Sequence, residues 1–548
     1  MSKAQSLVSS GLGKLWRLPP QRNAVEVTRD LPVPMRDGAR LLADHYAPAS
    51  IGARPTVLVR CPYGRGAQYA LLTAWPYAER GYHVLFQSTR GTFGSEGELM
   101  PGHHEAQDAA DTVAWLREQP WFDGRLGVIG VSYLGYAAWN LALDPPPELK
   151  AAVITMAPHD MFDAGYGRGP YQVYDLLMWS SLIANQESLG MLGTIRFMGS
   201  AERRLRPALD RLPLSATGDD IGGRGAPWYR EWIAHPRADD PYWDFAQVGP
   251  ALDRITAPTL LIGGFHDFFA DQTIAQYQHL RARGVETALT MGPWTHLTGD
   301  QRVVVPESLA WLDHHLAGDG PAPRRFPVRV WESGLDTWRG LTDWPPATTP
   351  HTWYLRVGAR LTEQAPAPAE ASTTTTFRYD PLDPTPSVGG RMMSTSAGSK
   401  DNTELEARAD VLTFTTAPLP RAVEVFGKPA VELCVSADNP NSDLFVRLCD
   451  VDEKGVSRNL TDEIRRLPGE GVARDELRTV RLTLTDIAHT FRAGHRIRVQ
   501  ISGGAHPRYA RHPGVPGDPA EAVNTATVTQ SVHHDLEHRC TLTLPVTR

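Results

Sequence analysis

Residues 125–139, RLGVIGVSYLGYAAW, constrain the fold of this chain more than any other stretch. The apolar run at 126–129 is typical of a short buried strand, and a helix-forming run follows at 136–143. Ser132 lies between them, with glycines on either side. A strand that ends in a tight small-residue turn and opens a helix is the setting of a nucleophile elbow, in which a strained serine exposes its hydroxyl above a sheet. An ordinary βα turn gives the same short pattern, so the interpretation depends on finding the rest of a catalytic triad.

A candidate acid and a candidate base follow Ser132 in the chain order that α/β-hydrolases use. Asp267 lies just beyond the apolar run 259–262, and His296 follows the run 289–291. Each candidate is therefore past the C-terminal end of a predicted strand, where open α/β sheets place their ligand sites. A serine hydroxyl is a poor nucleophile until a base takes its proton, and histidine titrates near neutral pH. We predict that Ser132 is the nucleophile, that His296 is the general base and then acid, and that Asp267 orients His296.

Other ionisable residues near these runs leave alternatives open. The rival carboxylates and bases are Asp271, Asp313, His266, His279, His314 and His315. The run at 103–105, HHE, lacks the histidine spacing of the H-E-x-x-H metal motif, so neither a metal nor another cofactor is expected. Arg90 and Glu96 are expected to pair and to brace the loop between them.

Length and composition limit the class of protein. At about 150 residues per domain, 548 residues correspond to three or four units. The net charge of −7 argues against nucleic acid or an anionic membrane surface as a partner, since both attract basic proteins. No apolar stretch reaches the roughly 18 residues of a membrane helix, and the N-terminus has no signal-peptide core, so we expect a cytoplasmic protein. The four cysteines form no C-x-x-C pair and are expected to be reduced thiols.

The order of apolar runs predicts three structural units. Up to the elbow the pattern reads β-α-β-α-β-α, which favours a parallel sheet with crossover helices. Residues 160–240 have helical character without a clear buried strand, and from about residue 350 many short alternating runs are separated by turns. The predicted fold class is α/β plus all-β. An α/β-hydrolase domain covers 1–159 and 241–348, a helical cap is inserted at 160–240, and a jelly-roll β-sandwich covers 349–548.

Motifs along nearly the whole chain resemble the family of cocaine esterase and its relatives and, more distantly, the X-Pro dipeptidyl-peptidases and α-amino acid ester hydrolases. They are CPYGR (61–65), TRGTFGSEGE (89–98), GVSYLGYAAW (130–139), DDPYWDF (239–245), GGFHDFF (263–269), GPWTH (292–296) and FRAGHRIRVQIS (491–502). The elbow spacing G-x-S-Y-x-G, with a later second glycine than in lipases, is this family's own form. The chain departs from it at Ser88, where relatives usually have Asp, and at 265–266, Phe-His, where they commonly have Trp-Tyr.

The resemblance implies the same three-part architecture and further site residues. The phenol of Tyr63 matches the family's oxyanion-hole tyrosine. The second oxyanion donor is expected to be the backbone N–H of Tyr133, the residue after the nucleophile. Trp179 and Phe269 match positions where the family presents aromatic rings to the acyl group, and Tyr166 is expected on the same wall. A homodimer is expected from the family alone.

The substrate prediction rests on an absent charge. By the resemblance, α-amino acid ester hydrolases bind an ammonium group through acidic residues two and three positions after the triad aspartate. Here those positions hold Phe269 and Ala270, so α-amino substrates should not be favoured. We predict hydrolysis of a small-molecule carboxylic ester with an uncharged or aromatic acyl group. An amidase, acylase, X-Pro-type peptidase or acyltransferase with the same triad is the alternative, and an inert ligand-binding protein is a remote one.

Overall fold

The computed structural model describes residues 3–49, 52–368, 373–467 and 469–547. The predicted domains also include residues 1–2, 50–51, 369–372, 468 and 548, which lie outside the described residues. The strands of the N-terminal part are β1 (Val25–Pro34), β2 (Arg40–Pro48), β3 (Arg54–Cys61), β4 (His83–Ser88), β5 (Phe122–Val131), β6 (Leu149–Thr155), β7 (Thr259–His266), β8 (Thr287–Thr295), β9 (Val328–Glu332) and β10 (Thr337–Leu341).

Helices connect most of these strands. They are α1 (Lys3–Leu15), α2 (Ala67–Thr73), α3 (Trp75–Ala78), α4 (Glu105–Arg117), α5 (Tyr133–Leu141), α6 (Met161–Tyr166), α7 (Val173–Leu209), α8 (Pro227–Ala234), α9 (Pro250–Arg254), α10 (Ala270–Ala282) and α11 (Gln301–Leu312). Short 3₁₀ segments lie at Leu214–Gly218, Pro241–Ala246 and Leu405–Ala407, and a π-helical turn at Asp313–Ala317 extends α11. In the part of the chain that the structure describes, no helix combines the length and apolarity needed to cross a membrane.

The ten strands form one mixed sheet in the order β1-β2-β4-β3-β5-β6-β7-β8-β9-β10. All neighbours from β4 to β9 are parallel, whereas β1, β2 and β10 pair antiparallel at the two edges. Parallel strands covered by helices on both faces are apolar throughout, which is why the sequence shows continuous apolar runs there. Val57 and Val59 pack on one face with α2, α3 and α11, while Leu58 packs on the other face with α4 and α5.

A helical insertion lies between β6 and β7. It contains α6 to α9, and α7 is kinked at Gly190, where φ is 61°. The structure describes residues 160–240 without a gap and assigns no strand among them. The insertion packs over the carboxyl ends of the parallel strands, because Trp179 and Leu182 of α7 line the same cavity as Ser132. The limits 160 and 240 of the cap stay a prediction.

The C-terminal part is a β-sandwich. Its strands are β11 (Thr348–Arg356), β12 (Arg360–Thr362), β13 (Thr374–Tyr379), β14 (Val411–Thr415), β15 (Val423–Gly427), β16 (Ala430–Ala437), β17 (Ser442–Val451), β18 (Ser457–Leu467), β19 (Arg478–Thr483), β20 (Ile487–Phe491), β21 (Arg496–Ser502), β22 (Val528–His533) and β23 (Thr541–Thr547). Leu433 and Leu542 of one layer share a buried core with Val446 and Val499 of the other. The predicted fold class, α/β plus all-β, is confirmed.

The expected pair between Arg90 and Glu96 is wrong. Arg90 donates instead to Asp108 at 2.6 Å and to Asp37 at 2.7 Å, while Arg40 donates to Glu96 at 2.6 Å. The hairpin of β1 and β2 supplies Asp37 and Arg40, and α4 supplies Asp108. Local sequence proximity therefore suggested an ion pair that the packing of a distant hairpin replaces.

Candidate active site

Ser132 is the single residue between β5 and α5. Its backbone has φ 58° and ψ −126°, a conformation that costs a non-glycine residue free energy and recurs at functional sites. The turn is closely packed, because a Cβ added to Gly130 would lie 2.3 Å from the Leu134 carbonyl carbon, and one added to Gly135 would lie 2.4 Å from Ala157 Cβ. The chain can make this turn only with glycine at both positions. The tight turn places Ser132 at the edge of the sheet, between β5 and α5.

The structure brings Ser132, His296 and Asp267 into one hydrogen-bonded line. His296 Nε2 is 2.9 Å from Ser132 Oγ, and His296 Nδ1 is 2.7 Å from Asp267 Oδ1. Only 6% of the His296 side chain and none of the Asp267 side chain is exposed. The three residues follow β5, β7 and β8, so the edge at the carboxyl ends of one sheet positions all of them. This arrangement can deprotonate Ser132 and hold the resulting imidazolium beside a buried carboxylate.

Two hydrogen-bond donors adjoin Ser132. Tyr63, two residues past β3, lines the same cavity as Ser132, and Trp179 Nε1 donates to its phenol oxygen at 3.0 Å. Burial raises the pKa of Tyr63 above its ordinary value, which keeps the phenol protonated and able to donate. Tyr133 is the first residue of α5, where a backbone N–H has no acceptor one turn earlier in the helix. Tyr63 and Tyr133 thus supply the donor types that an oxyanion requires.

The side chain of Tyr133 supports this arrangement from behind. Its hydroxyl donates to Glu105 Oε1 at 2.9 Å, and its ring stacks on Trp179 with centroids 5.7 Å apart. Glu105 in turn pairs with Arg60 at 2.9 Å. A buried chain of contacts therefore runs from this ion pair through Tyr133 and Trp179 to the Tyr63 phenol, and it fixes the ring that faces Ser132.

A cavity of about 370 Å³ opens beside Ser132 and His296. Apart from these two residues, it is lined by Tyr63, Tyr69, Leu72, Thr73, Tyr77, Ile129, Gly130, Val131, Leu134, Val153, Thr155, Met156, Trp179, Leu182, Met198, Leu297, Gly299, Gln301, Val304, Val305, Ser308 and Met393. Among the described residues that line it, none is Asp, Glu, Lys or Arg. The cavity is therefore suited to an apolar, uncharged group.

The predicted substrate-binding residues fall in three different places. Trp179 lines the cavity. Phe269 packs edge-on against the His296 ring, with centroids 5.5 Å apart, rather than on the cavity wall. Tyr166 is not brought to the cavity: its ring lies 4.9 Å from that of Tyr171, and its hydroxyl donates to the Ile233 carbonyl at 3.1 Å. Tyr166 packs inside the helical insertion because α8 covers it.

Sequence reasoning missed Met393, Met198 and Leu182 of the cavity wall. Leu182 could have been found, because it lies one helical turn after Trp179 and so shares its face. Met393 belongs to the C-terminal part, and its backbone N–H donates at 2.7 Å to Asp175 Oδ1 on α7. No local pattern marks a residue that reaches the site only when the sandwich docks on the helical insertion.

The rival acids and bases have partners outside the triad. Asp313 accepts from the Tyr82 hydroxyl at 2.6 Å, His279 contacts Asp253 at 2.7 Å, and His314 contacts the Gly320 carbonyl at 2.9 Å. His315 lies 3.7 Å from Glu286. The pKa of His266 is lowered to about 4 by burial and by the nearby positive charge of Arg391. These contacts give each rival a structural setting of its own.

Asp271, the remaining rival, belongs to a buried ionic cluster that we define as Arg168, Asp271, Arg391, Asp462 and Arg508. Arg168 of the helical insertion and Arg391 of the sandwich both donate to Asp271, the latter at 3.1 Å. Arg391 also donates to the Asp462 carbonyl at 2.9 Å, and Arg508 donates to Asp462 Oδ1 at 2.7 Å. Burial acts to raise the pKa of Asp271, but Arg168 and Arg391 outweigh burial and lower it to about 2.

Comparisons with known proteins agree with this architecture. Residues 37–298 match the family of X-Pro dipeptidyl-peptidases (S15 family), and residues 324–543 match the X-Pro dipeptidyl-peptidase C-terminal non-catalytic domain. The chain is 31% identical to the cocaine esterase of Rhodococcus sp. (strain MB1 Bresler), over 95% of this chain and 98% of that protein.

Solved structures show the same fold at lower identity. An aminopeptidase from the marine sediment archaeon Thaumarchaeota archaeon superposes with a TM-score of 0.80 at 23% identity, covering 97% of this chain and 98% of that one. An α-amino acid ester hydrolase superposes with a TM-score of 0.80 at 24% identity and the same coverage.

The fold, together with the related esterases and peptidases, defines a serine hydrolase with an α/β-hydrolase core and a C-terminal β-sandwich. The chain belongs to the cocaine esterase-like (CocE/NonD) family of hydrolases. The family resemblance of its sequence motifs is thereby confirmed.

Proposed function

We propose that this protein hydrolyses small carboxylic esters through an acyl-enzyme on Ser132, and that the acyl group is uncharged. The observation that carries the proposal is the 2.9 Å contact between His296 Nε2 and Ser132 Oγ at the mouth of an apolar cavity. A hydroxyl within hydrogen-bond reach of a histidine that is itself held by a carboxylate is the arrangement of an activated nucleophile.

Each step of the reaction has a residue to perform it. His296 takes the Ser132 proton as the oxygen attacks the ester carbonyl, and Asp267 supports the imidazolium that forms. The developing oxyanion accepts hydrogen bonds from the Tyr63 phenol and the Tyr133 N–H. His296 then protonates the leaving alcohol and, in the second half, deprotonates the water that attacks the acyl-enzyme. The buried ion pair behind Tyr133 keeps this geometry without reorganisation during the reaction.

The cavity supports a neutral acyl group over an α-amino one. A substrate ammonium would lose its hydration on entering, and the lining residues offer it no carboxylate. The S15 family match and the aminopeptidase fold make peptide hydrolysis the second candidate, but a peptidase that acts on a free N-terminus needs an anchor for that charge. Amide hydrolysis and acyl transfer use the same triad and differ only in the leaving group or the acceptor. A homodimer stays a prediction, which light scattering of the purified protein checks.

The decisive experiment compares wild type with Ser132→Ala on p-nitrophenyl acetate, butyrate and benzoate. We expect turnover in the wild type and a loss of about 10⁵-fold or more in kcat in the variant. Ser188→Ala is the matched control, because Ser188 is exposed and donates only to the Asn185 carbonyl one turn earlier. Full activity in Ser132→Ala would exclude this serine as the nucleophile. A wild type that cleaves the matching anilides or transfers acyl groups but leaves these esters intact would favour the alternatives.

A second pair of substrates tests the charge preference. The ethyl esters of phenylacetic acid and of phenylglycine differ by one amino group, which only the second ester carries and which becomes a cation as the pH falls below about 7. We expect kcat/KM to be at least about tenfold higher for the uncharged ester, since burial of an unpaired ammonium is costly. Equal rates, or a preference for phenylglycine, would contradict the proposed uncharged acyl group while leaving the triad assignment intact.

A further inference from the structure

Two cysteines meet in the sandwich, and neither lines the cavity at Ser132. Cys434 lies on β16, and Cys540 directly precedes β23, which pairs antiparallel with β16 through Glu432 and Thr541. The backbone N–H of Cys434 donates to Cys540 Sγ at 3.1 Å, so the Cys540 sulfur lies directly against the backbone of Cys434. All four cysteines of the chain are free thiols, so this pair is a reduced dithiol.

The surroundings make the two thiols chemically different. The adjacent Cys540 thiol is the largest influence on Cys434, and together with the Thr479 hydroxyl and the nearby His538 it outweighs burial and lowers the pKa of Cys434 to about 6. The same interaction and burial raise the pKa of Cys540. The thiolate is the nucleophilic form of cysteine, so Cys434 is the attacking thiol and Cys540 is the resolving one.

The two thiols also differ in solvent exposure, and the thiol with the lower pKa is the more exposed one. Cys434 is 8% exposed, whereas Cys540 is fully enclosed and its S–H lies 3.0 Å from the His533 carbonyl oxygen. Cys61 and Cys449 are also fully enclosed, and burial raises the pKa of each to about 12. The chain thus contains one reactive thiol with a second thiol in contact, and two inert cysteines that serve as internal references.

We propose that Cys434 and Cys540 form an oxidative modification site, which hydrogen peroxide converts to a disulfide between β16 and the C-terminal strand β23. The Cys434 thiolate attacks a peroxide oxygen, which breaks the O–O bond, releases hydroxide and leaves a sulfenic acid. The Cys540 sulfur then attacks the Cys434 sulfur, and the new S–S bond displaces a second hydroxide. The two hydroxides take up the two thiol protons as water, and two electrons pass from the thiols to the peroxide.

The cross-link should stabilise the sandwich without changing hydrolysis. It closes a loop of roughly 100 residues, and such closure restricts the unfolded chain more than the folded one. We therefore expect the oxidised protein to unfold several degrees above the reduced protein. Of the described residues that line the cavity, Met393 alone belongs to the C-terminal part, and it lies outside these two strands, so ester turnover should stay within about twofold.

The test oxidises the full-length protein with hydrogen peroxide and counts free thiols with Ellman's reagent after denaturation. We expect the count to fall from the four cysteines of the sequence to two, and dithiothreitol to restore it. Peptide mapping under non-reducing conditions should join the peptides that contain Cys434 and Cys540. Glutathione oxidised in the same tube confirms that the peroxide is active.

Four single variants separate the roles of the cysteines. Cys540→Ser should accumulate a sulfenic acid at Cys434 that dimedone labels, whereas Cys434→Ser should leave all remaining thiols unreacted. Cys61→Ser and Cys449→Ser should still form the link. Four intact thiols in peroxide-treated wild type, a link through Cys61 or Cys449, or overoxidation of Cys434 without a link would each overturn the proposal. The thiol count in wild type decides the matter even if a variant does not fold.

Discussion

Two aspartates near the start of α10, Asp267 fully buried and Asp271 partly exposed, contrast the two kinds of region in this molecule. Asp267 contacts His296, and every residue of that line lies at the carboxyl edge of one sheet. Asp271, one helical turn later, is held by Arg168 of the helical insertion and Arg391 of the sandwich. The first site is built by neighbouring strands of one domain, and the second exists only when three parts of the chain dock.

The carboxylates of Asp267 and Asp271 should therefore have different roles, the first in catalysis and the second in holding the parts of the chain together. In the proposed triad, the charge of Asp267 would support a reaction, and its loss should remove activity while leaving the fold intact. In the ionic cluster, opposite charges compensate one another with little access to water, and the loss of Asp271 leaves Arg168 with Glu463 and Arg391 with Asp462 but without the carboxylate that joins them. Replacing each aspartate by asparagine changes the same atoms in both regions, so the two variants compare the regions directly.

The largest expected effect is that of Asp267→Asn. An amide would favour the wrong imidazole tautomer and could not support the imidazolium, so kcat on p-nitrophenyl butyrate should fall by about 10⁴-fold. The unfolding midpoint should stay close to that of wild type. A loss of less than about tenfold, in a protein that circular dichroism shows to be folded, would remove Asp267 from the triad.

Asp271→Asn should have the opposite effect, a loss of stability with little loss of activity. It leaves Arg168 and Arg391 without their shared counter-charge, which typically costs about 3–5 kcal/mol of unfolding free energy. Chemical denaturation measures this loss, and kcat of the remaining folded protein should change far less than in Asp267→Asn. Asp253→Asn is the control, because Asp253 is an exposed residue that pairs with His279. Equal stability of Asp271→Asn and wild type would show that the cluster does not hold the parts together.

The pH dependence of stability sharpens the same comparison. The pKa of Asp271 is lowered to about 2 in the folded protein, below its value of about 3.9 in an unfolded chain. The stabilisation is therefore fully present above about pH 4 and is lost as the pH falls through about 2. The difference in unfolding free energy between wild type and Asp271→Asn should shrink over that window. A difference that stays constant from pH 5 to pH 2 would contradict the role of the ionised carboxylate.

Tyr63→Phe tests the proposed oxyanion donor, whose phenol accepts a hydrogen bond from Trp179 of the helical insertion. Removing one such donor typically costs about 3–4 kcal/mol of transition-state stabilisation, so kcat should fall by about 10²–10³-fold with little change in KM. Tyr69→Phe is the matched control, because Tyr69 stacks on Tyr63 at 5.8 Å and lines the same cavity. Equal losses in the two variants would point to packing rather than to oxyanion binding.

The smallest effect is expected at Met393, the residue through which the sandwich reaches the cavity. Met393→Ala should enlarge the acyl pocket and shift kcat/KM toward benzoate over acetate by about tenfold, within the range that changes of a few methylenes produce. Met392→Ala is the control, since Met392 is buried next to it but does not line the cavity. An unchanged ratio of benzoate to acetate would show that the sandwich does not set acyl selectivity.

Features that depend on residues close together in the chain could be predicted from the sequence, whereas contacts between distant residues could not. The alternation of strands and helices predicted the fold class, because a buried parallel strand must be apolar over its whole length. The failed pair of Arg90 and Glu96 shows the limit, since both charges lie in one loop but each finds its partner elsewhere. Tyr166 shows the same limit of sequence reasoning, because an aromatic residue of the helical insertion can pack in the core of that insertion instead of lining the cavity.

The sequence by itself selected Ser132, Asp267 and His296, because each one ends or follows an apolar run and parallel strands bring their carboxyl ends to one edge. The structure places these three within hydrogen-bond distance. Only the tertiary structure decided that Met393 enters the cavity, that Asp271 joins an ionic cluster and that Cys434 meets Cys540. Each of these contacts joins residues far apart in the chain. The first two form when the sandwich docks on the N-terminal part, and the third forms when two distant strands pair, and no local pattern of residues encodes either event.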